Sequence, residues 1–140
     1  MKVSSLMGIA LDYAVAVCEG GTNFHFDTVA TYWITINGKD WALNKSWAQS
    51  FTPSTDWSQG GPIIEREDIN LIRTDSDDYE VLPWAAEKGM QRRDRWHEAG
   101  YMYYQFVSTL DYGPTPLIAA MRCYVTSKLG DNIEIPEGLL

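Results

Sequence analysis

Thr31-Tyr32-Trp33-Ile34-Thr35-Ile36, then Asn37-Gly38, then Trp41-Ala42-Leu43, is the stretch whose reading decides the fold class. β-branched and aromatic side chains suit a pleated, half-buried strand. Asn-Gly between two such runs favours a type I′ turn, because both central residues of that turn take positive φ. The stretch predicts a β-hairpin, and with it an antiparallel sheet.

Upstream, Leu6, Ile9, Ala10, Tyr13, Ala14 and Val17 recur at helical spacing, and Gly20-Gly21 follows. A helix over 5–19 is predicted, stopped by the glycines and apolar over more than one face. Gly8 within it would permit close packing. Downstream, residues 44–62 read as one long ordered loop carrying Trp47, Phe51 and Trp57, aromatics that pin a loop to the body of a domain. Within it, Gly60-Gly61-Pro62 is expected to turn the chain, one glycine taking positive φ, into a short strand at Ile63-Ile64. Ile69–Ile72 is a second short strand, and a weaker one follows at Tyr79–Trp84. Residues 85–100 are expected to form a loop or frayed helix, and Tyr101–Val107 a central strand covered on both faces.

The C-terminal helix has the fullest set of signals. Thr115 is placed as N-cap and Pro116 as the first helical residue. Leu117, Met121, Tyr124, Val125 and Lys128 form a stripe, and Gly130 is the stop. Ile133 and Ile135 then suggest a terminal strand. The sum is an α+β protein, a mostly antiparallel sheet packed with an N-terminal and a C-terminal helix, in a single domain over 1–140.

Eleven basic against nineteen acidic residues give a formal charge of −8. General binding to duplex nucleic acid needs a basic face that displaces counterions, so that class is excluded. No signal-peptide pattern opens the chain and no apolar run approaches the ~20 residues that span a bilayer, so a cytoplasmic protein without membrane partners is expected. Cys18 and Cys123 have no metal or redox spacing and read as reduced, buried thiols, with a disulfide open if their helices pack together. Aromatic strands near the surface leave a homodimer open.

Three stretches together resemble one family: Gly8-Ile9-Ala10-Leu11-Asp12-Tyr13-Ala14-Val15-Ala16-Val17-Cys18-Glu19-Gly20, the Ser54–Glu67 segment with Trp57-x-x-Gly60-Gly61-Pro62-x-Ile64-Glu65, and Gly113–Val125 with the trailing Ser127-Lys128-Leu129-Gly130. They are similar to the NinX-type family of small tailed-phage and prophage proteins. The resemblance implies an accessory role dispensable for virion structure, acting in the host cytoplasm, and it supplies no reaction, cofactor or catalytic residue.

The chemistry-bearing residues point the same way. His25 and His97 are the only groups that titrate near neutrality. His25 and Asp27 would share a strand face, which suits an edge-strand histidine with a surface partner. Glu65, Glu67 and Asp68 lack calcium-loop spacing and read as a solvated charged turn. No nucleophile elbow, zinc motif or phosphate loop is present, so a non-enzymatic protein with no metal and no cofactor is expected. Six tryptophans and eight tyrosines suit stacking on flat ligands. The expected ligand site joins Asp56, Trp57, Gln59, Gly60, Gly61 and Glu65 to Arg92, Arg93, Arg95 and Trp96, whose guanidinium groups would meet phosphate while an indole stacks on a base. The reading is a non-catalytic binder of a nucleotide-like small molecule, serving counter-defence by sequestering a host signal. The alternative is an acidic module that engages or inhibits a host DNA-handling enzyme.

Overall fold

The computed structural model describes residues 1–45, 49–74, 82–89 and 109–140. The expected hairpin is present. β2 (Tyr32–Ile36) pairs antiparallel with β3 (Lys39–Ala42), with Ile36 opposite Lys39. Asn37 and Gly38 take φ of 51° and 78°, as a type I′ turn requires. Burial alternates strictly along β2, where Tyr32, Ile34 and Ile36 face the core, so the register is specified. β1 (Thr22–Phe26) lies on the free edge of β2.

A second antiparallel sheet has the order β4 (Asn70–Arg73), β5 (Trp84–Lys88), β6 (Thr109–Gly113). The α+β class stands, with two three-stranded sheets among the described residues in place of the expected one. Of the expected Tyr79–Trp84 strand, residues 79–81 lie outside the described residues; Trp84 opens β5, which continues through Lys88 where a loop or frayed helix was expected. Ala85, Glu87 and Lys88 are weak strand formers. Ladders on both sides of β5 override that preference. β6 has no counterpart among the expected strands, and the strand expected at Tyr101–Val107 lies outside the described residues.

Helix α3 (Pro116–Leu129) is capped as expected: the Thr115 hydroxyl accepts the Ile118 N–H at 3.1 Å, and Gly130 takes φ of 84° beyond the last turn. Every residue from Leu117 to Val125 is buried. The helix is therefore central, packed on β5 and β6 and against α1 (Gly8–Cys18), and not a one-sided stripe. Helix α1 starts three residues later than expected, after a 3-10 turn at Val3–Ser5, and Gly8 serves a φ of 54° with open space where a Cβ would stand. Its buried side is Leu11, Asp12, Ala14, Val15 and Ala16, while Ile9 stays exposed. Contact with α3 sets that side, and Tyr13 meets Phe24 and Tyr32 edge-on from the other.

The largest correction concerns 57–66. Trp57–Arg66 is helix α2, so Gly60-Gly61-Pro62 is helical, Ile63-Ile64 is not a strand, and neither glycine takes positive φ. The chain instead turns at Asp68 (φ 54°), where the Ile69 N–H donates to the Ile64 carbonyl at 3.1 Å. At the C-terminus Ile133 and Ile135 form no strand. Lys2 and Asn132 make a single antiparallel bridge, and a 3-10 turn at Glu137–Leu139 follows Pro136. Buried residues of both sheets and all three helices join one apolar cluster.

Candidate functional site

Residues 50–59 are built around two side chains that hold backbone. Asp12, on α1, accepts the Ser54 N–H at 2.9 Å. Gln59 accepts the Thr52 N–H at 2.8 Å and donates its amide to the Ser50 carbonyl at 2.9 Å. The segment is thereby fixed before the helix begins. Asp56 then caps α2, its carboxylate taking the Ser58 N–H at 2.9 Å and the Ser58 hydroxyl at 2.7 Å. Those two bonds hold the Asp56 carboxyl below the ordinary range.

Gly60 and Gly61 permit the helix for different reasons. A Cβ on Gly60 would stand 2.4 Å from the Pro53 carbonyl oxygen and 2.6 Å from Leu117 Cδ2, so glycine here allows α2 to lie against α3 and the preceding segment. A Cβ on Gly61 would meet nothing within 4 Å beyond its own chain neighbours and helix backbone. Gly61 precedes Pro62, and the missing Cβ removes one of the two clashes that drive a pre-proline residue out of helix.

The expected ligand residues therefore divide. Asp56 caps the helix, Gln59 braces the preceding segment and Gly60 makes a close contact. Trp57, Gly61 and Glu65 lie four residues apart on one face of α2. Trp57 is 52% exposed and Glu65 is exposed as well. Gly61 brings no side chain to that face. Trp57 is thus not the loop anchor that an aromatic in this segment suggests. Phe51 has that role, buried edge-on to Trp41 with ring centroids 5.9 Å apart. Arg92, Arg93, Arg95 and Trp96 lie outside the described residues, as do His97 and Trp47.

At the other end of α2, the charged turn is structured. Glu67 pairs with Arg66 at 3.0 Å, Lys88 at 3.0 Å and Lys128 at 3.3 Å. Partial burial pushes its carboxyl up, but hydrogen bonds from those three cations bring it down to about 2. Arg66 also reaches Glu19 at 2.6 Å, and the Tyr124 hydroxyl donates to Glu19 at 2.7 Å. Nothing in the sequence spacing joins Glu19, Glu67, Lys88 and Lys128, so this network was not anticipated. Asp12 was missed as well, although a carboxylate inside an apolar helical run is a signal of a buried polar contact.

Among the described residues no three His, Cys, Asp or Glu side chains stand together as a metal site. His25 lies exposed on edge strand β1, its Nδ1 2.7 Å from the Asn23 carbonyl. Asp27 lies beyond the strand, where it accepts the Trp33 indole N–H and the Val29 and Thr31 N–H groups, all at 2.9 Å. Cys18 and Cys123 are unpaired, and burial pushes both thiols up to about 12. Such thiols are poor nucleophiles near neutrality.

No helix among the described residues is long and apolar enough to cross a membrane. No curated protein matches the chain. The family described as Bacteriophage P22, NinX matches it over residues 2–128, from the first turn into the last turn of α3, and with that coverage the chain belongs to the phage NinX family.

Proposed function

We propose that this phage accessory protein is a non-catalytic binder that recognises a flat, nucleotide-like ligand through Trp57. The carrying observation is the half-exposed indole at the first turn of α2, a turn whose backbone is fixed by the Asp56 cap and the Gln59 brace. A large aromatic left in water while its segment is anchored by other residues is available for stacking. Glu65, one turn beyond Gly61, supplies a polar group on the same face. The arginines at 92, 93 and 95 would meet the phosphates. Capture without turnover would suit sequestration of a host defence signal.

Thermal-shift titration with mononucleotides and cyclic dinucleotides tests the assignment. A ligand should raise the Tm of the wild type and leave Trp57→Ala unmoved. The variant's own stability should stay within about 0.5 kcal/mol of wild type, as for other exposed positions. No shift with any nucleotide, together with a strongly destabilised variant, would leave Trp57 as a structural residue. The second reading, an acidic module that engages or inhibits a host DNA-handling enzyme, draws on the same face: an exposed aromatic with a carboxylate eight residues on also suits a protein partner. Retention of such an enzyme by wild type but not by Trp57→Ala would favour it.

A further inference from the structure

We propose that a polar cavity between the N-terminal segment and the end of α3 binds a compact ammonium group. The cavity measures about 260 Å³ and is lined by Lys2, Ser4, Asp111, Thr126, Asp131 and Asn132, every one of them polar. That size suits a ligand of a few heavy atoms, below the range of drug-sized pockets.

Asp111 carries the argument. It lies on the inner face of β6, in line with Ala86 and Leu71 across the sheet, and is 7% exposed. Its Oδ2 has no hydrogen-bond partner. A buried carboxylate oxygen without a donor is costly, and such groups in folded proteins call for an explanation. Buried Arg122 does not bond it: Nε donates to the Leu6 carbonyl at 2.9 Å and Nη1 to the Tyr112 carbonyl at 2.8 Å. Burial pushes the Asp111 carboxyl above its ordinary range and the Asp131 charge adds to this, against the Thr126 hydrogen bond and the Arg122 charge. Two carboxylates thus border one cavity, one of them short of a donor.

An ammonium group supplies what is missing. It brings a positive charge to Asp111 and Asp131 and N–H donors for the carboxylates, with the Ser4 and Thr126 hydroxyls and the Asn132 amide as further acceptors. Among the described residues no three His, Cys, Asp or Glu side chains gather there as a metal site, and magnesium chloride serves as the competing arm of the test. The wall is preformed, since the Lys2–Asn132 bridge and the Val3 N–H to Asp131 carbonyl bond at 2.9 Å hold its two segments together through backbone. Lys2 distinguishes two sources of the ammonium. An amino acid would offer it a carboxylate, whereas a diamine would not.

The test is a chemical-shift titration of the full chain with putrescine and with glycine, against potassium chloride at matched ionic strength. Saturable binding of either amine is expected, with shifts at Ser4, Asp111 and Asp131 and a Kd at least tenfold weaker in Asp111→Asn. Saturation by putrescine alone assigns a polyamine-type cation, and by glycine alone an amino acid. No saturation by either, equal affinity in Asp111→Asn, or saturation by magnesium chloride in their place overturns the proposal. If Asp111→Asn does not fold, as judged by circular dichroism, Asp131→Asn decides. That residue is exposed, and its replacement should weaken binding at least threefold, an unchanged Kd overturning the assignment.

Discussion

Asp12 sits on α1 at 3% exposure, and burial pushes its carboxyl up to about 6 against the opposing hydrogen bond from the Ser54 N–H. The sign of its effect on stability follows. Between the ordinary value of 3.8 and about 6, the folded state holds a proton that the unfolded chain has released, so stability falls as pH rises through that window. Above it the penalty is of order 3 kcal/mol, and below 3.8 it is absent. Asp12→Asn keeps an oxygen for the Ser54 N–H and removes the charge. Urea unfolding between pH 4 and 6.5 should show a smaller decline for this variant than for wild type, and higher stability at pH 7. An identical slope would show that Asp12 is ionised at no cost. Single residues differ in how far they could be read beforehand. The Thr115 cap and the Asn37-Gly38 turn were legible because the bonds that fix them are local. Asp12 and Ser54 are 42 positions apart, and no local pattern pairs them.

Helix α2 shows how an element forms against its composition. Pro62 removes the N–H that would bond the Ser58 carbonyl, and two glycines lower the propensity further. An Asp56 cap, the Gln59 brace and burial of Gly60 and Ile63 offset those losses. The glycines should then respond differently to alanine. Gly60→Ala should destabilise by roughly 1–3 kcal/mol through overpacking against Pro53 and Leu117. Gly61→Ala should destabilise in the Pro62 background, where the new Cβ meets the ring. With Pro62→Ala it should stabilise instead, by about 0.4–1 kcal/mol. Equilibrium unfolding of the single and double variants measures that reversal, and the same sign in both backgrounds would refute the pre-proline account. Asp56-x-x-Gln59 has the spacing of a capping box, so the helix start was written in the sequence. Gly-Gly-Pro outweighed it as a sign of a turn.

At the scale of the molecule, Glu67 ties the end of α2 to β5 through Lys88 and to α3 through Lys128, while Arg66 carries the link on to Glu19 at the end of α1. Its carboxyl titrates at about 2 in the fold against 4.5 ordinarily. The stability it contributes is therefore complete above about 4.5 and lost as pH falls through about 2. Glu67→Gln should lower the Tm by several degrees at pH 7 and shrink the acid-induced loss between pH 4.5 and 2. Thermal melts of both proteins across that range check it, and parallel curves would show the network to be surface decoration. The sequence by itself determined the α+β class, the hairpin with its turn, the capped C-terminal helix and the phage family. Each rests on interactions between residues close in the chain, or on strings of residues specific to the family. Only the tertiary structure decided that 57–66 is helical and that the weak strand formers Ala85, Glu87 and Lys88 join a central strand. It also decided which of the expected site residues face solvent and that Asp111 borders a polar cavity. Those outcomes depend on partners tens of positions away, whose burial and hydrogen bonding outweigh local propensity by amounts that no stretch of sequence contains.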